Sequence, residues 1–177
     1  EDEERNGAGY DVDERLRDMD RDGIDLELIF PNKGLSIWAT PDAVFSQAMC
    51  RVWNDWSMET YGGNRDRMLP AAAIAPNDLD GAIAEVKRVA KMGHRCLTLP
   101  NRPVWGNGDG SELNYNMPHY DDLWSAIQEA DLPITLHIST GKDPRGARGN
   151  GGAVINYAVH SLSQSIEPVA NFCSSGV

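Results

Sequence analysis

The stretch from Asp131 to Gly141, with the sequence Asp-Leu-Pro-Ile-Thr-Leu-His-Ile-Ser-Thr-Gly, constrains the fold of this chain more than any other. Apolar and polar residues alternate after the proline, which predicts a β-strand with His137 on its polar face, near the carboxyl end. Because helical patterns precede and follow the stretch, we expect a βαβ arrangement and a parallel sheet. Such folds place their chemistry at the carboxyl ends of strands, so His137 is the first candidate functional residue.

Three similar units precede this strand. Apolar strand patterns over residues 24–30, 69–75 and 94–99 are followed by residues at helical spacing. Four strand-then-helix units predict either an open doubly wound sheet or part of a (β/α)₈ barrel. A barrel needs eight strands and typically ~250 residues, and the four units of this chain account for half of those strands.

The helix after the first strand carries the broadest apolar pattern. Thr40-Pro41-Asp42 provides a capping hydroxyl, a first-turn proline and an early acid, which predict its start. The spacing predicts that one stripe of this helix is buried: Val44, Phe45, Ala48, Met49, Val52, Trp53 and Trp56. An earlier helix is predicted over residues 14–21 with Asp13 as its cap, and a last one from about Ala153 to Phe172.

Composition excludes several functional classes. The 177 residues carry a net charge of −11, which argues against binding to nucleic acid or to an anionic membrane surface. No apolar run approaches the ~18 to 20 residues of a membrane span. We expect a single domain over residues 1–177, with an acidic loop or ragged end at 1–10.

The cysteines indicate a compartment. Cys50, Cys96 and Cys173 form an odd set without C-x-x-C spacing, and each lies among apolar neighbours. This pattern predicts buried thiols in a reducing cytoplasm.

Polar residues after the predicted strands are the candidates for substrate binding. Asn32, Asn101 and Arg102 follow strand ends and are expected to line a pocket, as is Asn77, although turn chemistry alone also explains the asparagines. Arg102 suits an anionic substrate, and it opens a long loop, residues 102–118, of a kind that is often functional. A later basic loop with Lys142, Arg145 and Arg148 would either receive a carboxylate or remain solvated.

The other histidines have simpler interpretations. His94 begins a predicted strand, at the end of a barrel where residues serve stability, so a structural role is expected. His119 and His160 lack the spacing of metal ligands.

Several short motifs, in order, resemble the amidohydrolase-related family, which includes aminocarboxymuconate-semialdehyde decarboxylase and resorcylate decarboxylase. The similarity runs from about Asp11 to the end of the chain. The motifs are Asp-Met-Asp-Arg-Asp-Gly-Ile-Asp at 18–25, Asn54-Asp55-Trp56, Arg67-Met68-Leu69-Pro70, Met92-Gly93-His94-Arg95, Leu97-Thr98-Leu99-Pro100, Tyr120-Asp121-Asp122-Leu123-Trp124 and Leu132-Pro133-Ile134-Thr135-Leu136-His137.

The resemblance implies a TIM-like barrel around a divalent metal, usually zinc and in some members manganese. The family's ligands are a His-x-His or Glu-x-His pair on the first strand, a histidine on the fifth and an aspartate on the eighth. Only His137 matches one of them, the fifth-strand histidine. The chain therefore resembles strands two to five of a family member.

The first hypothesis is a metal-dependent enzyme that hydrolyses or non-oxidatively decarboxylates a small carboxylate-bearing or ring substrate, and that forms a homo-oligomer. The alternative is a catalytically inactive half-barrel that dimerises or acts as a binding module, because four units leave two open sheet edges. A nucleotide-binding doubly wound sheet ranks last, since no G-x-G-x-x-G or Walker pattern follows the first strand.

Overall fold

The computed structural model describes residues 11–103, 113–137 and 147–177. Its strands pair only in parallel within these ranges. They are β1 (Glu27–Ile29), β2 (Met68–Pro70), β3 (Ala72–Ala73), β4 (Leu97–Pro100) and β5 (Ile134–His137). The predicted strand at 69–75 is divided at Ala71, because β2 pairs with β1 whereas β3 pairs with β4.

Helices alternate with these strands, as the sequence predicts. They are α1 (Val12–Asp22), α2 (Ala43–Tyr61), α3 (Leu79–Met92), α4 (Asp121–Glu129), α5 (Gly152–Ile155) and α6 (Leu162–Ser175), with a π-helical segment, Asn156–Ser161, between the last two and a 3₁₀ segment, Lys33–Ala39, before α2. Among the described residues, none of these helices has the length and apolarity needed to cross a membrane.

Aspartates cap three of the helices. The Asp78 carboxylate accepts a hydrogen bond from the Gly81 N–H at the start of α3. Two predicted caps are wrong by two residues: Asp11, not Asp13, caps α1, and Asp42, not Thr40, caps α2 by accepting from the Phe45 N–H. A carboxylate reaches the free N–H groups of the first turn and also suits the helix dipole.

The largest core lies between the sheet and helices α3 and α4. Leu97 and Leu99 of β4 are fully buried there. They pack with Val86 and Val89 of α3 and with Leu123 and Ile127 of α4. Leu97 and Leu99 alternate along β4 with Thr98, so the polar side chain of Thr98 lies on the opposite face of the sheet.

Helix α2 buries a different face from the predicted one. Val44, Phe45 and Val52 are exposed, at 80%, 54% and 69% of their surface. The buried residues are Ser46, Cys50, Asn54, Ser57 and Tyr61. The periodicity of apolar residues fails here because α2 meets the backbone of a strand, where polar side chains are needed.

That backbone belongs to residues 71–75, beyond the end of β1. The Ala71 N–H still reaches the Ile29 carbonyl at 2.9 Å, but β1 ends there. Side chains of α2 take over along the same flank. The Trp53 indole donates to the Ala71 carbonyl at 2.9 Å, the Asn54 amide accepts from the Ala73 N–H at 2.7 Å and donates to its carbonyl at 3.0 Å, and Gln47 donates to the Ala75 carbonyl at 2.9 Å. Helix α2 therefore replaces a neighbouring strand.

The other flank of this strand shows a similar substitution. The Ile74 N–H donates to the Thr98 carbonyl of β4 at 3.1 Å, and the parallel register would supply the return bond from residue 100. Residue 100 is a proline and has no N–H. The buried indole of Trp38 donates to the Ile74 carbonyl instead, at 2.7 Å.

The sheet is strongly curved. Phe30 directly follows β1, and its ring lies edge-on to the ring of His137 on β5, with centroids 5.1 Å apart. These two strands occupy opposite ends of the strand series. Their terminal side chains meet only because the sheet curls around its inner face, as in a barrel.

Candidate active site at the carboxyl edge of the sheet

The carboxyl ends of the strands meet along one edge, which we call the carboxyl edge. His137 is the last residue of β5 and is in register with Pro100 of β4. Phe30, Asn77 and Asn101 follow the ends of the neighbouring strands. The predicted strand-end candidates are therefore brought to one side of the molecule by the parallel topology.

His137 is half-buried at this edge. Two residues earlier, on the same face of β5, the Thr135 hydroxyl donates to the Leu97 carbonyl at 2.7 Å and links β5 to β4. The Phe30 ring bounds the imidazole on one side. The histidine thus occupies a defined position on regular structure rather than on a loop.

The described residues do not form a metal site by themselves. Across residues 11–103, 113–137 and 147–177, no group of three or more His, Cys, Asp or Glu side chains is placed to hold an ion. A catalytic zinc takes three protein ligands, and His137 would supply one. The donor set of these residues alone does not fit the implied metal.

Asn101 and Arg102, predicted to bind substrate, contact helix α6. The buried Asn101 amide donates to the side-chain oxygen of Gln164 at 2.9 Å, and the Arg102 guanidinium pairs with the Glu167 carboxylate. Gln164 and Glu167 lie one helical turn apart, so consecutive residues after β4 meet the same helix face. These contacts fix the position of α6 at the carboxyl edge.

The end of β4 is held by a buried tyrosine as well. The Tyr115 hydroxyl donates to the Pro100 carbonyl at 2.7 Å. Burial raises the pKa of Tyr115 well above its ordinary value, so the hydroxyl keeps its proton. Its ring packs edge-on against Trp124, at 5.4 Å, and stacks with Phe172 of α6. Part of the predicted pocket loop therefore has a structural role.

The remaining predicted binding residues are at the surface or outside the described ranges. Asn32 is exposed at the start of the 3₁₀ segment, and its N–H donates to the Phe30 carbonyl at 2.9 Å. Arg148 is exposed, with a guanidinium N–H donating to the adjacent Ala147 carbonyl. Lys142, Arg145 and most of the 102–118 loop lie outside the described residues.

Some buried polar atoms near this edge lack hydrogen-bond partners among the described residues. Both the nitrogen and the oxygen of the Asn77 amide are unmatched, as is the hydroxyl of Thr98 on β4. The Arg102 Nε is also unmatched, although its guanidinium pairs with Glu167. The sequence signals Asn77 only by its position after a strand.

A cluster of polar side chains in the amino half of the sheet is not predicted by the sequence. We call Asn54, Asp55, Glu85, Arg88 and His94 the Asn54 cluster. Glu85 is buried and accepts from Asn54 at 2.8 Å and from the Arg88 guanidinium at 2.6 Å, and Arg88 also reaches Asp55 at 2.6 Å. Although burial opposes its charge, hydrogen bonds from Arg88 and Asn54 lower the pKa of Glu85.

His94 completes the cluster and has the structural role that its position predicts. Its ring nitrogens lie 3.0 Å from the Pro70 carbonyl and 3.2 Å from the Asn54 carbonyl. Burial lowers the pKa of His94, despite these acceptors, so the ring is held neutral in the fold.

The thiols confirm only part of the expectation for cysteines. Cys50 and Cys96 are buried and free, and burial raises the pKa of Cys96 to about 11. Cys173 is exposed on α6, which corrects its predicted burial. Val169 and Ala170 are exposed with Cys173, whereas its sequence neighbour Phe172 packs against the core.

Comparisons with known proteins identify the fold. The chain is similar over 126 residues to the gamma-resorcylate decarboxylase of Rhizobium radiobacter, with 30% identity over 71% of this chain and 38% of that protein. The structure of 2,6-dihydroxybenzoate decarboxylase in complex with 2,6-dihydroxybenzoate superimposes with a TM-score of 0.71 at 24% identity, over 93% of this chain and 53% of the other. The structure of a dihydroxybenzoic acid decarboxylase from Polaromonas sp. JS666, with bound manganese and the inhibitor 2-nitroresorcinol, superimposes with a TM-score of 0.68 at 19% identity. It covers 93% of this chain and 52% of the other.

The chain thus spans well under half of its curated relative and about half of the barrel structures. The expected part of a (β/α)₈ barrel is confirmed, with the four strand positions described above. The family model for amidohydrolases matches residues 5–170, nearly the whole sequence. The chain belongs to the amidohydrolase family.

Proposed function

We propose that this chain is part of a carboxy-lyase that removes the carboxylate of a small hydroxylated aromatic acid without oxidation. The observation that carries the proposal is the position of His137, at the end of β5 beside the Phe30 ring. Support for the substrate class comes from relatives named as decarboxylases of resorcylate and dihydroxybenzoate. Hydrolysis of a related substrate is the competing activity within the family.

The reaction breaks the bond between the ring carbon and the carboxylate carbon. Carbon dioxide leaves, and the ring carbon takes up a proton in its place. A flat apolar surface and a fixed carboxylate position would both favour this step, because they hold the ring and the carboxylate in one orientation while the ring carbon takes up its proton. We assign the flat surface to Phe30, next to His137.

We assign carboxylate orientation to Asn101 and Arg102, with Asn32 at the rim. Glu167 fixes the Arg102 guanidinium, and the unmatched Nε of Arg102 supplies a further donor at the same edge. A guanidinium is suited to a carboxylate because its N–H groups are arranged in a plane. We expect His137 to ligate a divalent ion, zinc or manganese, with the other ligands coming from outside the described residues.

Metal binding tests the role of His137 directly. Titration calorimetry with Mn²⁺ and Zn²⁺, on the chain joined to the remaining strands of the barrel, should show binding that His137→Ala weakens at least about tenfold, as expected for the loss of one ligand. His119→Ala is the matched control, since His119 is exposed in a short 3₁₀ turn before α4. Equal affinities for the two variants would exclude His137 as a ligand.

Product analysis tests the reaction. Incubation with 2,6-dihydroxybenzoate and Mn²⁺ should release 1,3-dihydroxybenzene and CO₂ in equal amounts, and Arg102→Ala should reduce the rate. Arg95→Ala is the control, because Arg95 is exposed at the opposite end of β4. If this chain turns over no dihydroxybenzoate while it binds metal through His137, the inactive half-barrel becomes the better hypothesis.

We also propose a cytoplasmic location, which the free thiols Cys50, Cys96 and Cys173 support. We also propose that the protein forms a homo-oligomer.

A further inference from the structure

Asparagines follow three of the strands, and the structure accounts for two of them. Asn32 is exposed, and the Asn101 amide bonds to Gln164. Asn77 differs from both, because the nitrogen and the oxygen of its amide are buried and neither has a hydrogen-bond partner among the described residues. Buried polar atoms in folded proteins are nearly always hydrogen-bonded, so the Asn77 amide requires an explanation.

The local fold does not use the Asn77 amide. Asp78, not Asn77, caps α3, because its carboxylate accepts from the Gly81 N–H at 3.2 Å. Gln47 holds the backbone on either side, since its amide donates to the Ala75 carbonyl at 2.9 Å and to the Asp78 carbonyl at 3.2 Å. The Asn77 oxygen accepts no hydrogen bond from the described residues, so it does not form an Asx turn either.

A second unmatched group occupies the aligned position after the neighbouring strand. Ala73 of β3 is in register with Thr98 of β4, and continuing this register by four residues aligns Asn77 with Arg102. Neighbouring strands lie about 4.8 Å apart, so the two side chains start from adjacent backbone positions beyond the carboxyl ends. The Arg102 Nε is buried and also lacks a partner in the part of the chain that the structure describes, although Glu167 pairs with the same guanidinium. An acceptor and a donor thus follow neighbouring strands without bonding to each other.

The two groups fit a particular ligand chemistry. An amide offers N–H donors and an acceptor oxygen, so a hydroxyl group, which both donates and accepts, satisfies it. A carboxylate only accepts, and it would leave the Asn77 oxygen unmatched. A guanidinium only donates, and it suits a carboxylate. Asn77 and Arg102 together therefore fit an acid that carries a hydroxyl next to the ring carbon that bears its carboxylate.

We propose that Asn77 is a specificity-determining residue, whose amide binds the ortho-hydroxyl of a hydroxybenzoate while Arg102 holds the carboxylate. This role of Asn77 rests on the proposed function and adds the feature by which the site distinguishes a hydroxylated ring from a plain one. A site built around a substrate hydroxyl binds the analogue without it poorly, because the buried amide is then left unmatched.

Ligand selectivity tests the role of Asn77. Titration calorimetry in the presence of Mn²⁺, on the chain joined to the remaining strands of the barrel, compares the affinities for 2,6-dihydroxybenzoate and benzoate. Asn77→Ala should raise the dissociation constant of 2,6-dihydroxybenzoate at least about tenfold and leave that of benzoate unchanged. Arg102→Ala should weaken both ligands, because both carry the carboxylate. Asn64→Ala is the matched control, since Asn64 lies before β2, at the amino end of the sheet.

The ratio of the two affinities separates binding from folding, because an asparagine with a structural role alone would affect both ligands equally. Asn77→Leu keeps the branched shape of the side chain without its polar atoms, and it is the second probe if Asn77→Ala does not fold. If Arg102→Ala weakens both ligands while the Asn77 variants change neither, Asn77 binds a buried water only, and its proposed role is wrong while the proposed function stands. Equal weakening of both ligands in the Asn77 variants would overturn that role too. A wild-type protein that binds neither ligand would contradict the proposed function itself, and this role of Asn77 with it.

Discussion

The extended segment 71–75, which contains β3, has hydrogen-bond partners for its backbone along one flank, whereas a polar side chain just beyond its end has none among the described residues. Along the flank, Trp53, Asn54 and Gln47 bond to its backbone. Beyond its carboxyl end, the buried Asn77 amide lacks a hydrogen-bond partner among the described residues. Asn54 and Asn77 carry the same amide group, but only the Asn54 amide has hydrogen-bond partners among the described residues.

The difference separates polar groups that stabilise the fold from polar groups that serve another purpose. A buried amide with all its bonds made contributes to stability, whereas an unmatched one costs about 1–3 kcal/mol. In a stable protein such a cost is expected mainly where function requires it. The Asn54 cluster belongs to the first kind, and the Asn77 amide at the carboxyl edge belongs to the second.

Removing the hub of the Asn54 cluster should give the largest effect. Asn54→Ala leaves the Ala73 N–H and carbonyl without partners and removes one donor from Glu85. We expect a loss of about 3 kcal/mol in the free energy of unfolding, measured by urea denaturation.

The matched control for this change is Asn156→Ala. The Asn156 amide makes the same pair of bonds to the Ala147 N–H and carbonyl, each at 3.0 Å, but in a half-buried site. Water can replace those bonds, so the loss should be about 1 kcal/mol or less. Equal losses for the two variants would show that burial does not distinguish the sites.

Removing the indole of Trp38 should have the second-largest effect on the free energy of unfolding. Trp38→Phe removes the donor to the Ile74 carbonyl, which Pro100 has no N–H to satisfy. We expect a loss of about 1–2 kcal/mol by urea denaturation. Adding Pro100→Ala to this variant restores an N–H in register, so the double variant should recover part of the loss. A double-mutant cycle without coupling would contradict this account.

The pH dependence of stability should reveal His94. Since burial lowers the pKa of His94, the folded chain takes up a proton there at a lower pH than the unfolded chain, whose pKa is the ordinary 6.5. Stability should therefore decline as the pH falls from 7.5 to 5.5, and His94→Gln should flatten this decline. Arg88 reinforces the effect and Glu85 opposes it. Urea midpoints at the two pH values provide the measurement, and identical slopes for both proteins would exclude His94 as the cause.

The sequence predicted the alternation of strands and helices and the position of His137, because strand alternation and helix caps are local signals. It was wrong for the buried face of α2, because tertiary contacts bury polar residues there. Asn54 bonds to a strand that follows it in the chain, and Ser46 donates to the Ile37 carbonyl of the 3₁₀ segment before α2. Asn101 bonds to Gln164, which lies 63 residues further along the chain, and such a contact produces no periodic pattern in the sequence. Partners of buried polar groups are set by tertiary structure, so hydropathy could not locate them.

The smallest effect should come from Asn77, and with the opposite sign. Asn77→Ala removes a buried amide that has no hydrogen-bond partner among the described residues, so the free energy of unfolding should stay constant or rise by up to about 1 kcal/mol. Asn101→Ala is the comparison, because it breaks the bond to Gln164 and should destabilise the chain. A clear loss of stability in Asn77→Ala would mean that its amide is needed by the fold. Unchanged stability together with weaker binding of 2,6-dihydroxybenzoate would place Asn77 with the carboxyl edge, where an unmatched amide is available to a ligand.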